Sequence, residues 1–503
     1  MITKDFDAIT QNFWTISENL RGNSKLNFSQ YKLFVLSLIF FRSQKQAYRD
    51  ELISREGQVH FTKDEIHKLF EGLQNSSNLS KDIQKLIHLL GKVQPHFLNL
   101  FPDELYDISN GHFGLLWNSL NNNATQKMKQ ADFAELFGQV ATKFAQIKTT
   151  IAENGENHPP STLLQLIINY LEPEGGLFYD PTCGEGNTLV EIEKFNRSID
   201  NHINKPLINY ASELKNSNLK IAKLNTAIND IQVTLTEMKS YYEDPYSLTD
   251  RCDYLIAYPP FNLKIENKLR HDPDSEKRFP FGIPSANKAN FLWIQYFYNL
   301  LNNSGKAGFL MANSATDAGN SELTIRKKLI RTGAIDCIVS INNNFLYPRP
   351  KPCDLWFIDK SRISSDSAKS KSILMIDARN IFTRVSTTVN VFSDDQIKNL
   401  LSLMKLYRGD LVKITQADEW LSNNFPQGQY RDIEGICKTV SLTEIEQNEF
   451  SLAPGKYISP IQPVDENLDY SFLLNNINQK MNYLNAEAGR LTNKINSLLN
   501  NLQ

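Results

Sequence analysis

The chain has 503 residues, of which 41% are hydrophobic and 22% charged, a composition typical of a globular protein with a substantial core. This length predicts roughly two to four domains, and the composition excludes a collagen-like, mucin-like or wholly disordered chain. Lys and Arg total 54 and Asp and Glu total 56, so the formal net charge is −2. The whole chain is therefore not a polycation, and any nucleic-acid contact must come from local basic patches or from a partner subunit.

The cysteine pattern and the first residues predict the cellular compartment. The cysteines at 183, 252, 337, 353 and 437 lie far apart and form no Cys-x-x-Cys pair, so neither a disulfide framework nor a structural metal site is expected. The sequence begins without a basic segment followed by an apolar one, and the longest apolar stretch, 33–41, is about half of a membrane span. We therefore expect a reduced, cytoplasmic protein with no membrane partner.

The first part of the chain, 1–150, predicts an N-terminal helical domain. Apolar residues recur at spacings of three and four through Phe6, Ile9, Phe13 and Ile16, and again over 31–41, while Gly and Pro are sparse. A polar segment that ends in Pro159-Pro160 is the predicted boundary with the next domain.

The pattern changes over 151–400, where short apolar runs alternate with helical patterns. Strands are predicted at 176–180, 207–212, 254–257, 307–312, 335–341, 354–358 and 373–377. Strand–helix alternation indicates an α/β fold with a doubly wound, mostly parallel sheet. Residues 401–465 form a mixed region whose pattern predicts no clear element.

The last segment, 466–503, predicts one long amphipathic helix. Its apolar side chains alternate at steps of four and three, at Tyr470, Leu474, Ile477, Met481, Leu484, Ala488, Leu491, Ile495, Leu498 and Leu502. This unbroken a/d seam fits either a helix packed on its own domain or a coiled coil with a partner chain. Polar residues dominate the other faces, which favours the coiled coil.

The first candidate ligand site is the segment DPTCGEGN, residues 180–187. A strand is predicted to end at Asp180, a Gly-rich turn follows, and a helix begins near Thr188. Ligands in open parallel sheets bind at the carboxyl ends of the strands, and Gly184 and Gly186 allow a close approach of the backbone. A lone GxG also occurs in ordinary strand–turn–helix units, whereas DPxCGxG is much more restrictive.

An acidic residue, Glu213, ends the next predicted strand. A carboxylate at this position can accept hydrogen bonds from a ribose diol. Alone, Glu213 would be a surface carboxylate, but one strand–helix–strand unit after DPTCGEG it is the expected nucleoside anchor. A full GxGxxG phosphate cradle is missing here, which favours a nucleoside ligand without phosphates over a dinucleotide.

The third motif is Tyr258-Pro259-Pro260-Phe261, a rigid turn after a predicted strand, with an aromatic ring at its tip. DPxCGxG, an acidic strand end and xPPF, in this order, resemble the amino-methyltransferases that act on DNA adenine. The wider chain resembles the modification (M) subunit of type I restriction–modification systems. Segments at 278–282, 305–308, 376–379 and 452–457 follow in the order of that family.

This resemblance implies a class I methyltransferase fold with S-adenosylmethionine as cofactor and adenine N6 in DNA as target. It implies a cofactor site formed by Pro160, Asp180, Pro181, Cys183, Gly184, Gly186, Asn187 and Glu213. It implies a target-base site formed by Tyr258, Pro259, Pro260 and Phe261, and no metal. The implied partners are DNA, a specificity subunit bound through the C-terminal helix, a restriction subunit and a second copy of this chain.

The sequence departs from the family pattern at Tyr258, where Asn or Asp is usual. The side-chain oxygen of Asn or Asp, with the following backbone carbonyl, accepts both N6 hydrogens and enriches the attacking nitrogen in electrons. One such contact is worth about 10²–10³ in rate. A Tyr hydroxyl extends beyond that point, so it cannot replace the acceptor unless the base moves.

Three functions therefore stay open. An active adenine methyltransferase is favoured, and the second is a structural or regulatory subunit that keeps the fold without methyl transfer. The third, methylation of RNA or of a protein glutamine, explains neither the N-terminal helices nor the terminal heptads.

Overall fold

The computed structural model describes residues 3–54, 61–93, 110–147, 159–198, 206–237, 244–265, 269, 272, 274–284, 290–347, 350–364, 371–415, 418–459 and 470–500. The chain divides into two compact units, Met1–Ser459 and Pro460–Gln503. The boundaries predicted at 150/151 and 465/466 lie outside the described residues, so the four-part division of the chain stays a prediction.

The N-terminal region is helical, as predicted. Its helices are α1 (Thr3–Arg21), α2 (Phe28–Ser54), α3 (Phe61–Gly72), α4 (Leu79–Val93), α5 (Asn110–Leu120) and α6 (Gln130–Gln146). The apolar run of α2 lies at the centre of their core, where residues 31–44 are all buried. Ile9 and Phe13 of α1 pack into the same core, because their spacing places both side chains on one helix face.

Strands and helices then alternate. They are α7 (Ser161–Leu171), β1 (Gly176–Asp180), α8 (Asn187–Ser198), β2 (Leu207–Glu213), α9 (Asn216–Ile228), β3 (Val233–Glu237), β4 (Cys252–Ala257), α10 (Ser275–Arg278), α11 (Asn290–Leu300), β5 (Leu301–Ala312), α12 (Asn320–Arg331), β6 (Ile335–Ile341), β7 (Cys353–Asp359), β8 (Ser372–Ala378), β9 (Thr383–Ser386), β10 (Val389–Val391), α13 (Asp394–Arg408), α14 (Glu419–Asn424), β11 (Cys437–Ser441) and α15 (Leu442–Gln447). Each of the seven predicted strands has an observed counterpart.

Among the described residues, nine strands form one sheet in the order β11-β8-β6-β7-β5-β4-β1-β2-β3. Most neighbouring pairs are parallel, but β7 runs antiparallel between β5 and β6, and β11 pairs antiparallel with β8. The predicted α/β class with a mostly parallel sheet is confirmed. The sequence did not indicate the reversed strands, because an apolar run has no direction, and it did not indicate β3, whose residues are half exposed at the sheet edge.

Helices cover both faces of the sheet, as a doubly wound fold requires. One face packs against α7, α8 and α13, and the other against α11 and α12. Helix α9 belongs to two cores, since Ala222 faces the sheet while Ile221, Leu224 and Ile228 join the core of the N-terminal helices. Helix α9 therefore packs against both the sheet and the N-terminal helices.

The strand order reverses at β1, because β2 and β3 lie on one side of it and β4 and β5 on the other. Phe178 of β1 pairs in parallel with Tyr254 of β4, and Asp180 pairs with Ala211 of β2. The carboxyl ends of these three strands therefore meet at one edge. Ligands of open α/β sheets bind in the crevice at such a switch point.

The second unit contains helix α16 (Tyr470–Asn500), at the position where the heptads predict a helix. Five apolar side chains of the seam are at least 48% exposed: Leu474, Met481, Leu484, Leu491 and Ile495. Within the described part of the chain, no helix is both long enough and apolar enough to cross a membrane.

Candidate active site

The turn after β1 begins with a buried carboxyl group. Asp180 is 1% exposed, and its Oδ1 accepts a hydrogen bond from the backbone N–H of Thr182 at 3.0 Å. Burial raises the pKa of Asp180 to about 7, the hydrogen bonds from Thr182 and Thr188 oppose that rise, and the negative charge of Glu213 adds to it. The buried carboxyl group of Asp180 therefore helps to hold the backbone of the turn in place.

The two glycines of the turn share a backbone conformation that favours glycine, but the space around them differs. Gly184 has φ +56° and Gly186 has φ +82°, a left-handed region that side chains with a Cβ rarely adopt. A Cβ on Gly186 would lie 3.4 Å from Cα and Cβ of Ala222, so this glycine lets α9 approach. A Cβ on Gly184 would meet nothing within 4 Å, so this glycine leaves open space above the turn.

The carboxylate of Glu213 reaches this turn, as the sequence predicts. Its Oε2 accepts from the backbone N–H of Gly184 at 3.0 Å, and its Oε1 accepts from the N–H of Lys215 at 2.8 Å. The N–H of Cys183 also donates to the carbonyl of Ser212 at 3.0 Å. An ionised carboxylate has about four acceptor positions, so a carboxylate at the end of β2 can accept several hydrogen bonds at once.

Other predicted cofactor residues have structural contacts. The carbonyl of Pro181 accepts from Ser212 Oγ at 3.2 Å, and Oδ1 of Asn187 accepts from Asn225 Nδ2 at 3.3 Å. Pro160 is buried at the N-terminus of α7, where its carbonyl accepts from the N–H of Leu163 at 3.1 Å.

The thiol of Cys183 is buried beside two carboxyl groups. Burial, followed by the charges of Asp180 and Glu213, raises the pKa of this thiol well above its ordinary value. A thiol that stays protonated is a poor nucleophile, so Cys183 contributes packing to the turn. Among the described residues, no group of three or more His, Cys, Asp and Glu side chains is arranged to hold a metal ion.

The predicted target-base residues follow β4 and are joined to the first turn. The backbone N–H of Tyr258 donates to Oγ1 of Thr182 at 3.1 Å. The rings of Tyr258 and Phe261 meet edge to face, with centroids 5.6 Å apart. Pro259 is buried and Pro260 is exposed, so the Pro-Pro unit lies at the surface with one ring anchored beneath it.

The sequence did not indicate the residues that fix the far end of this loop. Asn262 has φ +55°, its backbone N–H donates to Asn290 Oδ1 at 2.9 Å, and Asn290 Nδ2 donates back to Asn262 Oδ1 at 2.9 Å. Asn290 is 2% exposed at the start of α11. An Asn just before the apolar pair Phe291-Leu292 is a signal that could have indicated this contact, since a buried amide needs a polar partner.

These residues fit a nucleoside-containing cofactor. Gly184 leaves open space over the backbone, and the carboxylate of Glu213 lies beside it at the end of β2. Thr182 connects this place to the Tyr258–Phe261 loop. The arrangement can therefore hold a nucleoside at one side of the switch point and present an aromatic face at the other.

Comparisons with known proteins agree with this geometry. The family model of N-6 DNA methylases matches residues 128–466. The methylase subunit of the type I restriction enzyme MjaIX from Methanocaldococcus jannaschii is 26% identical, over 100% of this chain and 93% of the relative. The HindI methylase subunit from Haemophilus influenzae is 27% identical, over 72% of this chain and 76% of the relative.

Solved structures share the fold. The methyltransferase subunit of a type I restriction–modification system from Streptococcus thermophilus superposes with a TM-score of 0.71 at 18% identity, covering 90% of this chain and 99% of that one. A chain from a type I system studied for complex assembly gives a TM-score of 0.61 at 14% identity, covering 96% and 97%.

The chain belongs to the N-6 DNA methylase family, because the family model covers more than half of it. Over its whole length it is similar to a methylase subunit of a type I restriction enzyme. The predicted family and the predicted class, an adenine-specific DNA methyltransferase, are confirmed. The roles of the individual site residues stay predictions.

Replacing Asp180 by Asn should change stability in a pH-dependent way. The pKa of Asp180 is about 7 in the fold and 3.8 ordinarily, so charging it costs more in the folded than in the unfolded chain. The contribution of Asp180 to the free energy of unfolding is therefore fully present below about pH 4 and is lost as the pH rises toward 7. We expect Asp180→Asn to raise the free energy of unfolding by about 1–2 kcal/mol at pH 8, and by less at pH 5, measured with urea.

The matched control is Asp395→Asn, which changes an exposed aspartate at the start of α13. It should change the free energy of unfolding at pH 8 by less than Asp180→Asn does. An equal effect of Asp180→Asn at pH 5 and pH 8 would contradict the role assigned to burial.

Proposed function

We propose that this chain is the methyltransferase subunit of a type I-like restriction–modification complex and that it transfers a methyl group from S-adenosylmethionine to adenine N6 in DNA. The observation that carries the proposal is the junction at the switch point. There the Gly184 turn, Glu213 and the Tyr258–Phe261 loop share one edge of the sheet and are joined by hydrogen bonds. Family membership supports the same reaction.

In this proposal the turn after β1 binds the nucleoside part of the cofactor. Glu213, whose carboxylate lies against the backbone of Gly184, accepts the ribose hydroxyls, and Gly184 provides the space above the backbone. The bound cofactor supplies an electrophilic methyl group on a sulfonium sulfur. Asp180 stays inside the turn, where its hydrogen bond to Thr182 holds the first residues in place.

The loop after β4 receives the target base in this proposal. An adenine inside a duplex is out of reach, so it must leave the stack before reaction. Phe261 offers a half-buried ring on which the base can stack, and the carbonyl of Pro259 can accept one N6 hydrogen. Because Thr182 holds the N–H of Tyr258, this loop has a fixed position relative to the cofactor turn.

The side chain of Tyr258 supports a second candidate function, a structural or regulatory subunit without methyl transfer. The second N6 hydrogen needs a short acceptor at this position, and the phenol occupies the place with its ring packed against Phe261. An adenine that enters in the usual position would meet the ring instead of an oxygen. The two candidates share the fold and the cofactor site and differ only in the chemical step.

The proposed complex also includes partners. The relatives are named as subunits of type I restriction enzymes, and the exposed seam of α16 offers an apolar stripe for another helix. We propose a specificity subunit as the occupant of that stripe, with a restriction subunit and a second copy of this chain in the same cytoplasmic complex. The DNA sequence would then be read by the specificity subunit.

The cofactor proposal predicts saturable binding of S-adenosylmethionine, measurable by calorimetry. Gly184→Val should weaken binding at least about tenfold, because a β-branched residue is disfavoured at φ +56° and fills the open space. Gly428→Val is the matched control, since Gly428 has φ +65° and open space but lies between α14 and β11. If the wild type shows no binding, with or without a partner, the cofactor proposal fails.

The partner proposal predicts that α16 acts in assembly and not in folding. Deleting residues 470–503 should leave a folded protein that binds S-adenosylmethionine and no longer assembles with its specificity subunit, measured by light scattering. Leu484→Asp with Leu491→Asp should have the same effect, because both positions lie on the exposed seam. Asn485→Asp with Thr492→Asp adds equal charge beside the seam and should leave assembly intact. Loss of folding on truncation would support a helix packed on its own domain.

The catalytic proposal predicts that Tyr258→Asn raises methyl transfer by about one to three orders of magnitude in the assembled complex, measured with radiolabelled cofactor on DNA. Asn restores a short acceptor and clears room for the base. Tyr258→Phe is the matched control, because it keeps the ring and supplies no acceptor, so no gain is expected. Adding Phe261→Ala should reduce the gain by removing the stacking surface.

Two outcomes decide between the candidates. An ordinary rate in the wild type that falls in Tyr258→Asn would show that the phenol takes part in the reaction, contrary to this account. Inert wild type and variant, with cofactor and DNA still bound, would favour the structural subunit.

A further inference from the structure

A buried ion pair joins the N-terminal helices to the candidate cofactor turn. Lys32 lies on α2, and its Nζ donates to Oε1 of Glu185, which stands between Gly184 and Gly186. Both side chains are 6% exposed. The two residues are 153 positions apart in the sequence, so the ion pair connects two distant parts of the chain.

The surroundings of Glu185 are tightly built. Its backbone carbonyl accepts from Asn225 Nδ2 at 3.0 Å, and Asn225 of α9 is 4% exposed. Tyr347, which precedes β7, is also buried, and burial followed by the negative charge of Glu185 raises its pKa to about 12. Residues from α2, α9 and the segment before β7 therefore surround Glu185, with Lys32 on its side chain and Asn225 on its backbone carbonyl.

The cost of burying these charges indicates a specific role. Taking a carboxylate and an ammonium out of water costs several kcal/mol for each ion, and a hydrophobic pair of similar size is often as stable. The pair therefore adds little to stability. Its charge-assisted hydrogen bond does fix the orientation of the Glu185 side chain, because it holds that carboxylate at one position on α2. Residue 185 carries the backbone between the two left-handed glycines, so its position sets theirs.

We propose that Lys32 is a positioning residue for cofactor binding, acting through Glu185 on the backbone of the Gly184–Gly186 turn. The inference rests on the proposed cofactor site and extends it, because it makes the N-terminal helices part of that site. Lys32 touches no reacting atom. It acts by holding Glu185, and thereby the open side of Gly184, in one place.

The first measurement is cofactor affinity by calorimetry in the full chain. Lys32→Met should weaken S-adenosylmethionine binding by about tenfold, and Lys32→Arg should restore most of it, since arginine supplies the cation. Lys25→Met is the matched control, because Lys25 is an exposed lysine just before α2, and it should bind as the wild type does. Equal affinity of folded Lys32→Met and wild type would overturn the inference.

The second measurement separates positioning from stability. Lys32→Met with Glu185→Gln removes both buried charges, so its thermal unfolding temperature should return close to that of the wild type. If Lys32 positions the turn, this double variant still binds the cofactor about tenfold more weakly. Wild-type affinity in the double variant would show that the pair has only a structural role, even if Lys32→Met alone does not fold.

The third measurement needs no ligand. Hydrogen–deuterium exchange of a peptide that covers residues 180–190 should be faster in the double variant than in wild type, and unchanged in Lys25→Met. Unchanged exchange in the double variant would overturn the inference. If the wild type binds no S-adenosylmethionine, the proposed function fails, while the exchange rates still decide whether Lys32 orders the turn.

Discussion

The balance of charge around one buried turn is the constraint on which the candidate site depends. Three carboxyl groups lie at the segment after β1, those of Asp180, Glu185 and Glu213. The cost of placing a negative charge there is reduced in a different way for each. Burial raises the pKa of Asp180 toward neutrality, Lys32 pairs with Glu185, and backbone N–H groups of Gly184 and Lys215 donate to Glu213. Of these three, Glu213 is the one that we propose accepts the ribose hydroxyls of the cofactor. The other two carboxyl groups shape the turn that presents it.

The sequence predicted those parts of the site that lie within one local segment. DPTCGEG, Glu213 and Tyr258–Phe261 each follow a predicted strand, and parallel strands bring their carboxyl ends to one edge, so the sequence alone places these motifs together. The resemblance of their order to a methyltransferase family then supplied the function. The same reasoning gave the seven predicted strands, because each is a short apolar run and most of them alternate with helical patterns.

The remaining features could not be predicted, because they depend on contacts between distant residues. Lys32 interrupts an apolar run of α2, and nothing in its neighbourhood indicates that its partner lies 153 residues away. Asn225 and Asn290 are two of several amides on their helices, and the sequence does not show which of these amides is buried with a distant partner. The antiparallel direction of β7 is also set by tertiary pairing, since its residues form an apolar run that fits either direction.

The divergence at Tyr258 is compatible with the fold because the loop is held by its backbone. The N–H of Tyr258 bonds to Thr182, and the amide of Asn290 holds both the N–H and the side chain of Asn262. None of these three bonds uses the side chain at 258, whose ring meets that of Phe261 edge to face. In the proposed reaction, the side chain at 258 decides whether a short acceptor faces the base. The position of the loop backbone and the group offered to the base therefore depend on different atoms: Thr182 and Asn290 hold the backbone, and the side chain at 258 supplies the group.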